Sequence, residues 1–166
     1  QGGVVAPVNF NAPGQVVVAG SRAAVDRAVD LAKEAGAKRA MALAVSAPSH
    51  CELMRPAAEK LAAELASVTI ERPSVPVIHN VDAARHDDPA EIRDVLVRQL
   101  YSPVRWVESV TEMMELGAEA CIEAGPGKVL AGLCKRIDRK LPAVGVYDSD
   151  TLAKGLETTK EGGNAG

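Results

Sequence analysis

From Pro73 onward, short apolar runs alternate with stretches of helical period, and this alternation constrains the fold more than any other feature of the chain. Pro73 to Val81, Ala120 to Glu123 and Ala143 to Tyr147 read as strands. Between and after them, helices are expected from Asp88 to about Tyr101, from Trp106 to Leu116, from Val129 to Lys140, and from a Ser149 or Asp150 cap to about Leu156. Asp88-Pro-Ala-Glu91 is a strong start, with proline at the first helical position and acid in the first turn. Pro103 breaks that helix, and Gly125-Pro-Gly127 is a strand-to-helix turn. Strands separated by helices predict parallel pairing with helices covering the sheet. A long Ala/Leu helix from about Cys51 to Ser67 precedes this region.

The N-terminal part has a different style. Val4 to Phe10 and Gln15 to Ala19 read as strands flanking the turn Asn11-Ala12-Pro13-Gly14, an antiparallel hairpin. Ser21 is placed to cap a helix from Arg22 to Ala35, which Gly36 stops in a left-handed conformation. Lys38 to Val45 reads as a third strand. A β-β-α-β unit of this size cannot bury both faces of its sheet, so it reads as part of a split α+β subdomain completed upstream. Gln1-Gly2-Gly3 running straight into a strand, without an initiator Met, has the look of a chain cut just before that strand. Glu161 to Gly166 is a small polar tail of the kind natural C-termini carry.

Composition narrows the function classes. Of 166 residues, 47% are hydrophobic but only 2% aromatic, so the core must be aliphatic and a base-stacking or sugar-stacking surface is not expected. A net charge of −3 argues against nucleic-acid binding. No apolar run reaches transmembrane length and no signal-peptide pattern opens the chain, which speaks against a membrane role. Cys51, Cys121 and Cys134 are odd in number and lack metal spacing, as expected of reduced thiols in a cytoplasmic protein.

The stretch Val45 to Met54 carries the most chemistry. Ser49 and Glu52 stand in the relation of a capping box, with Leu53 opening an apolar stripe, so His50 is expected on the first turn of a helix. The positive end of a helix dipole disfavours the imidazolium, leaving a neutral imidazole of the kind a general base needs. A histidine that merely sits at a helix end fits the position as well, and both readings stand at this level. Other motifs fail. Gly125-Pro-Gly-Lys128 is no phosphate loop, since Ile122 and Val129 occupy positions that require Gly and Ser or Thr. Leu130 rules out the dinucleotide fingerprint. His50, His79 and His86 are scattered, so no metal site is expected. No serine lies in the G-x-S-x-G setting of a nucleophile elbow. Cys51 fits a buried thiol better than a reactive thiolate. Lys128, Lys135, Arg136, Arg139 and Lys140 lie off the apolar stripe Val129, Leu130, Leu133, Cys134, Ile137; they read as a solvated face or as a dock for an acidic partner.

Five segments together resemble malonyl-CoA:acyl carrier protein transacylases of bacterial fatty acid synthesis: Val8-Asn-Phe-Asn-Ala-Pro-Gly-Gln15, Val45-Ser-Ala-Pro-Ser-His-Cys51, Asn80-Val-Asp82, Val97-Arg-Gln-Leu-Tyr-Ser-Pro-Val104 and Ile122-Glu-Ala-Gly-Pro-Gly-Lys-Val-Leu130. The match is collinear over nearly the whole chain and corresponds to the C-terminal half of such an enzyme. The resemblance implies an α/β fold in two parts. Residues 1–45 would belong to a partial ferredoxin-like small subdomain, and 46–166 to the C-terminal portion of an α/β hydrolase-like acyltransferase domain. It also implies ping-pong acyl transfer, from malonyl-CoA to a serine and then to the phosphopantetheine thiol of acyl carrier protein. His50 would be the general base, oriented by the main-chain carbonyl of Gln99. Asn11 and Gln15 match cleft positions near the thioester, and Lys128, Lys135, Arg136 and Arg139 would dock the carrier protein. No cofactor is implied, since phosphopantetheine arrives on the partner. The serine, the arginine that grips the malonyl carboxylate and the oxyanion-hole glutamine belong to an N-terminal half that this sequence does not contain. On this reading the chain alone is inactive. The rival expectations are a non-catalytic module that holds acyl carrier protein through the basic helix, and a purely structural half-domain.

Overall fold

The N-terminal hairpin forms where its turn residues require. In a computed structural model, which describes residues 3–45 and 47–162, β1 (Val5–Ala12) pairs antiparallel with β2 (Gln15–Gly20). Gly14 takes the left-handed conformation, with φ of 73°. The register slips between Pro7 and Asn9 and again between Phe10 and Ala12, so Val8 and Asn11 are the extra residues of two bulges. Helix α1 (Arg22–Glu34) follows. Ser21 stands at its N-cap, but the hydroxyl donates to the Val4 carbonyl at 3.4 Å and caps no helical N–H.

The expected strand from Lys38 to Val45 does not form; the backbone there is irregular, and Met41, Leu43 and Val45 are exposed. Its β propensity goes unused because no strand among the described residues lies beside it to complete a ladder. Gln1, Gly2, Ser46 and the tail from 163 to 166 lie outside the described residues, and with them parts of the expected leader, of the Val45–Met54 motif and of the polar terminus.

Next come a single 3-10 turn (Glu52–Met54) and α2 (Arg55–Leu65), shorter than the continuous helix expected from Cys51 to Ser67. The expected strand from Pro73 to Val81 shrinks to β3 (Ile78–His79), because prolines at 73 and 76 remove ladder donors. Its partner is the antiparallel β4 (Ala84–Arg85). Parallel pairing, the central expectation, occurs where β5 (Cys121–Ala124) meets β6 (Ala143–Val146). The strands therefore form three separate two-stranded sheets among the described residues, not one continuous parallel sheet.

Four helices complete the chain: α3 (Pro89–Arg98), α4 (Trp106–Glu115), α5 (Val129–Ile137) and α6 (Ser149–Gly162). Asp88 caps α3, its Oδ1 accepting from Ala90 N at 2.7 Å and Glu91 N at 3.2 Å. Helix α5 stops three residues before the expected Lys140, because Asp138 turns extended and its carboxylate accepts from Lys140 N at 2.7 Å. Between α5 and β6, β-sheet and helix approach closely: a Cβ on Gly145 would lie 2.6 Å from the Gly127 carbonyl.

The main core cluster is aliphatic, as the composition demands. Val110, Ala131, Cys134, Leu141 and Ala143 are buried together, with Trp106, Met113, Met114, Cys121 and Ile137 packed around them. Burial, reinforced by neighbouring Cys121, pushes the Cys134 thiol up to about 12. Beside this core, a parallel bridge ties the hairpin to the segment after α3. Phe10 N donates to Val104 O at 2.9 Å, and Val104 N to Val8 O at 2.8 Å.

Candidate active site

Helix ends leave orphan carbonyls, and the C-terminal end of α3 is where His50 is found. The last four carbonyls of a helix have no intrahelical donor. Here Leu100 O accepts from the backbone N–H of His50 at 2.9 Å, and Gln99 O lies 2.7 Å from the His50 ring nitrogen Nδ1. Two consecutive carbonyls at and beyond the helix end are thus satisfied by one residue 49 positions earlier.

That placement corrects the local expectation. His50 is not on the first turn of a helix: Cys51 precedes the 3-10 turn, and no side chain caps it. Ser49 and Glu52 form no capping box, since Glu52 turns instead to Arg55, at 2.7 and 2.9 Å. His50 itself has φ of 63°, the left-handed region, where a residue with a Cβ is strained. The strain turns the chain sharply enough to aim both its N–H and its ring at α3. The helix end that His50 bonds is therefore the carbonyl end of α3, not the N–H end of α2.

The hydrogen bond also fixes the tautomer. A carbonyl oxygen only accepts, so Nδ1 must carry the proton and donate it to Gln99 O. The other nitrogen, Nε2, is left with a free lone pair. The half-buried ring keeps that atom available to a reacting group. Cys51, next in sequence, is buried to 2% exposure, with Sγ donating to Pro48 O at 3.2 Å, an inert structural thiol.

The other sequence-predicted residues distribute unevenly. Asn11 is the second bulged residue of β1, half-buried, and Gln15 begins β2 across the turn. Among the described residues no hydrogen bond joins either to His50; the connection runs through the Val104 bridge to the 99–104 segment that holds it. Gln15 Oε1 instead accepts from Arg136 Nη1 on α5. Lys128 is at the N-cap of α5, and Lys135 and Arg139 are exposed near its far end. Among the described residues these three have no ion-pair partner. Also among the described residues, no group of three or more His, Cys, Asp or Glu is arranged to hold a metal ion.

A cluster that spacing did not disclose lies behind the site. Asp82 Oδ2 accepts from Arg98 Nη2 at 2.9 Å and from His86 Nε2 at 3.1 Å. The other His86 nitrogen faces Glu91 at 3.3 Å. Burial alone would pull the His86 imidazole down, but its bonds to Asp82 and Glu91 and their charges leave it raised. Burial pushes the other way on Asp82, and there His86 and Arg98 win, holding the carboxyl below its ordinary value. Asn80-Val-Asp82 was visible in the sequence as a segment, but no local pattern announces that it reaches residues 98 and 105.

The fold and this histidine define an α/β protein that holds one histidine, ring and backbone, by two consecutive main-chain carbonyls. The chain belongs to the acyl transferase domain family, whose model matches residues 3–147. It is 57% identical over 148 residues to the malonyl CoA-acyl carrier protein transacylase of Haemophilus influenzae, covering 89% of this chain and 47% of that one. Among solved structures it is similar to the acyl-carrier-protein S-malonyltransferase of Burkholderia pseudomallei (TM-score 0.91, 52% identity, 93% of this chain and 50% of that one). It is also similar to a malonyl-transacylase in complex with a type II polyketide synthase acyl-carrier protein (TM-score 0.92, 54% identity, 95% and 51%). The chain spans about half the length of the curated relatives it matches.

Proposed function

We propose that this chain forms the C-terminal half of a malonyl-CoA:acyl carrier protein transacylase of fatty acid synthesis and supplies its general base, His50. The observation that carries the reading is the 2.7 Å bond from His50 Nδ1 to the Gln99 carbonyl, found in a chain of the acyl transferase family. With Nδ1 committed, Nε2 takes the proton of a serine contributed by the N-terminal half as that serine attacks the malonyl thioester. Coenzyme A leaves as its thiol and malonyl is held as a serine ester. The same Nε2 then takes the proton of the phosphopantetheine thiol of acyl carrier protein as it attacks the ester, and the serine regains a proton. Gln99 does the orienting that an aspartate does in the Ser-His-Asp triad. Asn11 and Gln15 lie near the thioester in this reading. On this reading the protein works in the cytoplasm, with the fatty acid synthesis it serves.

On the same reading, residues 1–45 are part of a ferredoxin-like small subdomain, and 46–166 return to an α/β hydrolase-like domain completed by the N-terminal half. Lys128, Lys135 and Arg139 offer charge to the acidic carrier protein, and Arg136 braces Gln15. The malonyl-transacylase neighbour in complex with an acyl-carrier protein supports that choice of partner. The test is malonyl transfer from malonyl-CoA to carrier protein by the full-length enzyme. We expect transfer by the intact protein, none by the 166-residue chain alone, and a fall of about 10²–10⁴ for His50→Ala. Undiminished transfer by His50→Ala would overturn the assignment.

A further inference from the structure

The segment that holds His50 is itself held at both ends by one short stretch, Asn80–Asp82. At the α3 end, the Arg98 guanidinium bonds the Asp82 carboxylate at 2.9 Å, while its Nε reaches Asp94 one turn back at 2.6 Å. At the α4 end, Arg105 Nη1 donates to the Asp82 carbonyl at 3.1 Å, and Arg105 N to Asn80 O at 2.9 Å. Between these anchors lie the carbonyls of Gln99 and Leu100 that grip His50. Ser109 Oγ, buried to 1% exposure, donates to Arg105 O at 2.9 Å and lies 3.3 Å from the Asn80 side-chain oxygen, which places Asn80 beside the first turn of α4. The turn carrying Asp82 is tight, with Ala83 at φ 55° and its N–H donating to His79 O at 2.8 Å. Helix α3 is docked along its length by buried Ile92 and Val95, and its first turn is tied back by Glu91 to His86.

Packing by Ile92 and Val95, and the bonds from Arg93 to Leu65 O and Val68 O, both 3.0 Å, hold the middle of α3; what they leave open is the rotation of its last turn. The direction in which the Gln99 carbonyl points depends on that rotation. Arg98 is the residue immediately before Gln99, so an ion pair from Arg98 to a rigid turn fixes the setting. We propose that Asp82 is a positioning residue for His50, its carboxylate acting through Arg98 to aim the Gln99 carbonyl at Nδ1 while its main-chain carbonyl holds Arg105. The proposal rests on His50 being the base and gives the site a carboxylate function, exerted through Arg98, the residue before the carbonyl that replaces the triad aspartate.

The experiment is a double-mutant cycle in the full-length enzyme, assayed by malonyl transfer to carrier protein, with His50→Ala, Asp82→Asn and the pair combined. Misplacing a catalytic group by about 1 Å costs up to roughly 10²-fold. Asp82→Asn should therefore lower kcat about 10- to 100-fold with KM for malonyl-CoA within twofold. In the His50→Ala background the same change should cost less than about twofold, because there is no ring left to aim. Equal losses in both backgrounds would overturn the proposal, since Asp82 would then act on folding or on substrate. His50→Ala alone reads the underlying assignment, so the two failures are distinguishable. Arg98→Met breaks the same ion pair from the other side and, like Asp82→Asn, leaves the main-chain bonds of Arg105 in place; it should show the same pattern at similar amplitude. This second variant keeps the test open if Asp82→Asn does not fold, and a rate within twofold of wild type for it would equally refute the proposal.

Discussion

Replacing His50 by glycine and by alanine separates the backbone role of this position from its chemical one. Both variants lose the Nδ1 bond to Gln99, a net contribution of about 1 kcal/mol, and both leave that carbonyl without its donor. They differ in the backbone. At φ of 63°, alanine keeps a steric cost of about 1–2 kcal/mol that glycine does not have. The greater freedom of glycine in the unfolded chain offsets about 0.5–1 kcal/mol of this. His50→Gly should therefore be more stable than His50→Ala by about 0.5–1 kcal/mol. Urea titration of the two full-length variants reads the difference as a shift in midpoint at unchanged slope. Transfer rates should fall equally in both, because neither carries an imidazole. Alanine as stable as glycine would mean the backbone at position 50 is not left-handed, and the sharp turn aiming the ring at α3 would go with it.

Three other consequences can be checked. Asp88→Ala removes the cap of α3 and should cost about 0.5–2 kcal/mol by denaturant unfolding. Val110→Ala empties a fully buried site between α4 and α5 and should cost about 2–3 kcal/mol: roughly 1.6 kcal/mol from two lost methyl groups, plus a cavity term. A loss below 1 kcal/mol would mean the cluster collapses around the change. The His86 imidazole is raised above 6.5, so its ion pairs stabilise fully below that pH and the contribution disappears as pH climbs through the raised value. The stability gap between wild type and His86→Gln should be widest below pH 6.5 and should close as pH rises past the raised value. His79, 5.5 Å away ring to ring, is pushed down by burial and by the His86 charge, and contributes a slope of opposite sign.

Local signals in the sequence account for the elements that local chemistry decides. Asp88-Pro-Ala-Glu91 specifies a helix start and obtains one, and the Pro13-Gly14 turn closes its hairpin. The parallel pair β5 and β6 follows from strand–helix alternation. The misses fall where a distant partner decides. Residues 38–45 have the composition of a strand but no neighbour to pair with among the described residues. The stretch from Pro73 was shortened by its own prolines. Ser49 and Glu52 had the spacing of a capping box, yet the 2.7 Å pull of Gln99 on His50 turned the chain before the helix could begin at that point. Resemblance named both His50 and Gln99, whereas periodicity alone supplied only a histidine near a helix end, and at the wrong helix. The Asn80–Asp82 anchor was out of reach of any pattern, because its bonds to Arg98 and Arg105 span 16 to 25 residues of chain.

The central claim, that His50 is held with its proton on Nδ1 so that Nε2 serves as the base, has a direct spectroscopic test. Histidine-selective nitrogen-15 labelling of the full-length enzyme, with His50 assigned by its loss in His50→Ala, reports the tautomer of the neutral ring. A protonated Nδ1 hydrogen-bonded to a carbonyl, beside an unprotonated Nε2, is the predicted result. A neutral ring with its proton on Nε2 would contradict the account, because such a ring can neither donate to Gln99 nor accept a proton at the free face.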